Sequence, residues 1–213
     1  MIIQDNDRLT ELLEAWLKPR LNASSVKITD MRGRSGAGFS AETFYIDVDY
    51  VVNDLPRTKS LVVRAQNQDS DLFVGASIEL PYRVMEAVAK SSDVPVPELI
   101  GLEMDESVIG EPFLIMSKEQ GRIVHQSPNY NLEGWLKELP EAKRLEVWQS
   151  GIRSMAQVNK LDWREGFQFL ENPQWGKPGL DSYLGWVVEW YRWAREQGAA
   201  IELMDTAIAW LQD

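Results

Sequence analysis

The sequence predicts an α+β protein, and three observations carry that prediction. Alternation of apolar and polar residues, the period of a half-buried strand, is confined to the first half of the chain. Apolar residues spaced i, i+3 and i+4, the period of an amphipathic helix, dominate the second half. No internal repeat or low-complexity segment interrupts this order. Strands followed by helices indicate an antiparallel sheet unit and a helical unit. The change falls near Gly121, dividing the chain into residues 1–120 and 121–213.

The elements follow in order. Asp5 or Asn6 can cap a helix running to about Lys18, with Leu9, Leu12, Leu13, Trp16 and Leu17 on one face and Pro19 ending it. Val26 to Met31 has the composition of a short strand. From Thr43 to Val52, Phe44, Ile46, Val48 and Tyr50 point one way, and Tyr45, Asp47 and Asp49 the other. Asn53-Asp54-Leu55-Pro56 is a turn signal, and Leu61 to Arg64 completes a three-strand meander. A polar loop and a helix over Ile78 to Ala89 follow. Pro95 and Pro97 then force an extended path. Phe113 to Met116 is a fourth strand. Three helices complete the chain: Pro140 to Asn159, Asp181 to Glu196, and Ala199 to Asp213.

Composition narrows the function. Lys and Arg number 22 against 33 Asp and Glu, a formal net charge of −11 that disfavours nucleic acid and anionic membrane surfaces. There is no cysteine, which removes disulfides, thiolate metal sites and cysteine nucleophiles. The N-terminus MIIQDNDRLTELLEAWL has no basic segment before an apolar run, unlike a secretory signal. The expectation is a soluble, cytoplasmic protein.

One stretch raises a question of chemistry. RGRSGAGFSAETFYIDVDY, Arg32 to Tyr50, places Gly33, Ser35, Gly36, Gly38, Phe39 and Ser40 directly ahead of a strand. Glycines between strands let backbone N–H groups approach an anion or adopt positive φ. With Arg64 on the next strand, the hairpin could close over phosphates. The same glycines also suit an ordinary turn, and Gly33-x-x-Gly36-x-Gly38 departs from the G-x-G-x-x-G of protein kinases.

A longer segment is more specific. DVPVPELIGLEMDESVIGEPFLIMSKEQGRIV, residues 93–124, resembles the phosphotransferase enzyme family, whose members include aminoglycoside phosphotransferases and other small-molecule kinases. YRVMEAVA and GWLKELPEAKRLEVWQSGIRSMAQVNKLDW resemble the family segments on either side. The resemblance implies a protein-kinase-like fold: an antiparallel-sheet N-lobe and the first helices of a mainly helical C-lobe. It implies ATP and Mg²⁺ as cofactors and a hydroxyl-bearing small molecule as acceptor. Gly33 to Ser40 would be the loop over the phosphates, and Arg64 the phosphate-contacting cation. Met116 would enter the hinge, where Ser117, Lys118 and Glu119 offer backbone groups to an adenine edge.

The sequence also departs from the family. Kinases pair the third-strand cation with a helix glutamate. Here Glu79 is nearest, with Pro81 implying a later helix start, and Glu86 is expected to be solvated. Asn159 replaces the histidine of many relatives, and the single histidine, His125, falls in a polar loop. The family's H-G-D-x-x-x-x-N loop and its metal-holding aspartate are absent, and neither Asp162 nor Asp181 can take those roles on residue type alone. The chain therefore resembles a kinase ending just before its catalytic centre. Helix 181–196 carries two apolar stripes: Leu184, Val187, Val188 and Tyr191, and then Trp186, Trp190 and Trp193. A missing C-terminal region or a second copy would cover the second stripe; alternatively the tryptophans line a groove for an apolar substrate. Two other readings remain open: a non-catalytic nucleotide- or partner-binding module, and a helical interaction protein.

Overall fold

The computed structural model describes residues 2–3, 5–35, 41–66, 77–124, 127, 129–198 and 201–212. The first helix, α1, spans Asn6–Arg20, and the Asp5 side chain caps it by accepting from the N–H groups of Asp7 and Arg8. Pro19 does not stop it: the helix runs one residue further, to Arg20. A proline in the last turn costs only its own missing N–H, and Leu21 N–H still reaches Leu17 O at 2.9 Å.

Five antiparallel strands follow: β1 (Ser25–Ser35), β2 (Ala41–Val52), β3 (Leu55–Gln66), β4 (Leu99–Glu103) and β5 (Phe113–Ser117), in the spatial order β1-β2-β3-β5-β4. Their bounds differ from the sequence expectation in instructive ways. Asn53 (φ 51°) and Asp54 (φ 61°) alone form the β2–β3 turn, the two-residue left-handed geometry that matches strand twist. Leu55 and Pro56 therefore belong to β3, with Pro56 opposite Val51. Proline is tolerated because β5 pairs only with residues Leu61–Ala65, so β3 has a free side there. The path after Pro97 becomes a strand, β4, so the sheet has five strands rather than four.

One sheet face packs on α1. Phe44, Ile46, Leu61, Val63, Phe113 and Ile115 are fully buried against Leu9, Leu13 and Leu17. The alternation read for β2 is the one observed. At the β4 edge the Trp16 ring meets Phe113 in a tilted contact, centroids 4.9 Å apart, and the Arg20 guanidinium lies 3.7 Å above the Trp16 ring. Gly101 makes room for this pair: a Cβ there would meet both side chains at 3.1 Å.

The other face holds α2 (Glu79–Ser91). Ala41, Ile78 and Leu114 form a small buried cluster, with Tyr82, Met85, Leu102 and Met116 packed around it. Pro81 lies inside the first turn of α2 instead of delaying it, because first-turn N–H groups have no intrahelical partner. Burial, then repulsion from Glu86, pushes the Tyr82 hydroxyl above its ordinary pKa, so it stays neutral.

The helical part begins with the short α3 (Trp135–Glu138), followed by α4 (Glu141–Asn159), α5 (Leu180–Glu196) and α6 (Glu202–Gln212). The stripe Leu145, Trp148, Ile152 and Met155 of α4 is exposed, and no residue of this helix is buried. Asn159 is exposed too, its amide donating to Met155 O at 2.9 Å. In α5, Tyr191 and Ala194 are buried, and the Tyr191 hydroxyl donates to Ile201 O at 2.9 Å. Among the described residues, no helix is long and apolar enough to cross a membrane.

Candidate functional site

The face of the sheet opposite α1 carries two of the residues the sequence singled out, Arg64 and Met116. Arg64 alternates with the buried Val63 and Ala65, so it shares the α2 side with Val62 and Gln66. It stands between Thr43 on β2 and Leu114 on β5. The neighbouring row runs Arg32, Tyr45, Val62, Met116. A half-buried cation thus sits beside an apolar floor of Val62 and Met116. The strand continues two residues past Arg64, to Gln66, which faces Ala41. Residues 36–40 join β1 to Ala41, so Arg64 is set back slightly from the glycine-bearing link.

Gly33 lies within β1, not in that link. Its φ is +80°, and a Cβ on it would meet Tyr45 Cδ2 at 3.2 Å. The register of β1 against β2 shifts between Arg32 and Ser35, the mark of a bulge. Gly33 therefore has a local role: it bulges the strand and lets its backbone lie against the Tyr45 ring. Ser35 ends the strand. Gly36, Gly38, Phe39 and Ser40 lie outside the described residues, as does His125.

The residues expected at the hinge are tightly tied. Ser117 N–H donates to Glu98 O at 2.8 Å, and Lys118 N–H to Ser60 O at 2.9 Å. The Ser117 hydroxyl accepts from Glu98 N–H at 2.9 Å and donates to Glu119 Oε1 at 2.6 Å. Of the amides expected to meet an adenine edge, two are thus already engaged, which leaves the next one, at Glu119. Lys118 Nζ lies 5.1 Å from the Tyr45 ring centroid, a cation–π contact that closes the hairpin side of the floor. Tyr45 and Val62 were not singled out as site residues. Their signal in the sequence was the strand alternation itself, which sets them on the face opposite Phe44 and Val63.

The electrostatics around Arg64 are simple. Among the described residues no ion pair joins it to Glu79, whose carboxylate meets Arg83 Nη1 at 3.4 Å, one turn along α2. Arg83 also lies 4.3 Å over the Phe169 ring, which ties α2 to the helical part. Among the described residues no three acidic or histidine side chains form a group able to hold a metal ion.

A family model described as the phosphotransferase enzyme family matches residues 34–213. Mouse acyl-CoA dehydrogenase family member 10 is 26% identical over 205 residues, which take up 94% of this chain and 17% of that protein. A probable acyl-CoA dehydrogenase of Arabidopsis thaliana, IBR3, is 24% identical over 191 residues, 80% of this chain and 21% of its own. A crystal structure of a candidate aminoglycoside phosphotransferase from Ralstonia eutropha JMP134 superposes with a TM-score of 0.54 at 26% identity, covering 95% of this chain and 52% of that one. The chain thus spans about half of the structural relative and about a fifth of each curated relative.

Proposed function

Because this chain belongs to the phosphotransferase enzyme family, we propose that it forms the nucleotide-holding part of a kinase that moves the γ-phosphoryl group of ATP to a small-molecule hydroxyl. The observation that carries this reading is the position of Arg64. It is half-buried, stands beside the Val62–Met116 floor, and has no ion-pair partner among the described residues. A cation with no ion-pair partner among the described residues, beside an apolar floor, suits a ligand with an aromatic base at one end and phosphate at the other. Arginine holds its charge at every relevant pH and can contact two phosphate oxygens at once.

Arg64 would neutralise charge on the phosphates, and the Glu119 amide would meet the base. Phosphoryl transfer further needs Mg²⁺ on the phosphates and a carboxylate to orient the attacking hydroxyl. In this reading those groups come from polypeptide corresponding to the part of the Ralstonia relative that this chain does not cover, in cis or in trans. The exposed stripe of α4 is where we place its packing.

Calorimetry with a non-hydrolysable ATP analogue tests the proposal. Arg64→Ala should weaken binding by about 1.5–3 kcal/mol, the scale of a charge-assisted hydrogen bond. Unchanged affinity would remove Arg64 from the site.

A second reading is a non-catalytic nucleotide-binding module, favoured by the absence of any His-x-Asp in the sequence. It predicts Arg64-dependent binding but no transfer to any hydroxyl, even after the remaining lobe is supplied.

A further inference from the structure

A cavity of about 850 Å³ lies where α2 meets the helical part. Trp163, Phe167, Phe169, Trp175, Tyr183 and Trp186 line it, and Leu80 of α2 closes one side. Phe167 and Phe169 stack with ring centroids 6.3 Å apart, and Tyr183 and Trp186 meet in a tilted pair at 5.9 Å. The volume falls in the range of small-molecule sites. We infer that this cavity takes the apolar body of the acceptor, so that the acceptor is an alcohol carried on an aromatic or long aliphatic group rather than an aminoglycoside. This inference rests on the phosphoryl-transfer reading above and names the acceptor class within it.

Position supports the assignment. Leu80 is two residues from Ile78, whose N–H donates to Gln66 Oε1 at 3.2 Å. Gln66 faces Ala41, the first residue after the glycine-bearing link. The cavity wall is thus tethered to the end of the β2–β3 hairpin where the phosphates are placed. An acceptor bound there would lie against α2, which packs on the sheet face that carries Arg64.

Chemistry decides the class. A polycationic aminoglycoside needs several carboxylates facing it, whereas Glu171 is the one acidic residue among those lining the cavity. The Asn172 side chain is engaged in capping, accepting from Gln174 N–H at 3.0 Å. Glu189 lies behind the wall and accepts from Trp175 Nε1. The polar groups that line it are the Glu171 carboxylate, the Asn172 amide N–H, the Ser182 and Tyr183 hydroxyls and the indole N–H groups of Trp163 and Trp186, scattered over an otherwise aromatic lining that suits a single hydroxyl better than many cations.

The test uses the 213-residue chain with 4-phenylbutan-1-ol and kanamycin as probes, read by tryptophan fluorescence and equilibrium dialysis. The ATP analogue is titrated in parallel. The phenylbutanol should bind saturably, and kanamycin should not. Trp186→Ala, and separately Tyr183→Ala, should weaken alcohol binding about fivefold to tenfold, the scale of one aromatic contact, while leaving nucleotide affinity unchanged. Two exposed positions are used so that a fold defect in one variant cannot decide the result. Nucleotide binding without alcohol binding would overturn the pocket assignment and leave the proposed function standing. Alcohol binding without nucleotide binding would overturn the acceptor role. Saturable kanamycin binding, or alcohol affinity untouched in both variants, would overturn the inference as well.

Discussion

Trp16 and Glu103 are joined across the sheet edge: the indole Nε1 donates to Glu103 Oε2 at 2.9 Å, and Arg20 Nη2 reaches the same oxygen at 3.2 Å. One carboxylate therefore fastens α1 to β4. Burial pushes the Glu103 carboxyl up, but the Trp16 donor, the Asp105 amide and the Arg20 charge together outweigh it and hold it below its ordinary value. A depressed carboxylate contributes stability that is complete above its unfolded pKa and is lost as pH falls through the folded one. Glu103→Gln should destabilise the protein by about 1 kcal/mol at about pH 7, and the gap should be smaller at about pH 3, because it shrinks only as pH falls below the ordinary glutamate value of 4.5. Urea unfolding at the two pH values checks this. A gap that does not change with pH would mean that the charge contributes nothing.

Gly33 should resist substitution. Gly33→Ala forces a Cβ into left-handed backbone and against Tyr45 at 3.2 Å. The expected cost is about 1–2 kcal/mol in unfolding free energy. Near-UV circular dichroism should also change as the Tyr45 ring moves. An alanine variant as stable as the parent would show that β1 has no bulge here in solution.

Gly185 is the second position where size is forbidden, for a packing reason rather than a conformational one. A Cβ on it would fall 2.6 Å from Trp175 Cα, inside the turn Pro173–Trp175 that crosses α5. Backbone cannot rotate aside, so Gly185→Ala should cost about 1–3 kcal/mol despite alanine's better helix propensity. Thermal unfolding decides the sign: stabilisation would mean that the turn and α5 are not in contact.

The α4 stripe should behave oppositely. Trp148 is 65% exposed, so Trp148→Lys should change stability by no more than about 0.5 kcal/mol. Leu13→Ala, at a fully buried site, should cost about 2–5 kcal/mol in the same assay. Trp148→Lys should also reduce binding of an apolar fluorescent dye. A large loss of stability would show that α4 is packed in solution, and would remove it as the surface where further polypeptide docks.

Much of this protein is written locally. The alternation of β2, the Asp5 cap and the helical spacing of 141–159 each depend on neighbours a few residues apart, so the sequence determined the α+β class and most element positions. The residues from 93 to 124 also carried the family, which the match over residues 34–213 bears out. Local rules failed where a proline's cost depends on what stands beside it. Pro81 sits in a first helix turn whose N–H groups have no intrahelical partner, Pro19 in a last turn where only its own hydrogen bond is lost, and Pro56 in a strand segment that β5 does not reach. No neighbour in sequence announces that.

Only the tertiary structure decided the site. It removed Gly33 from the glycine-bearing link, gave Glu79 to Arg83, engaged the amides of Ser117 and Lys118, and set Tyr45 and Val62 beside Arg64. It also turned part of the aromatic excess of residues 163–186 into a cavity wall. The reason is common to all of these. Local structure follows from short-range periodicity, whereas a hydrogen-bond partner or a cavity depends on register between strands and on contacts between segments far apart in the chain.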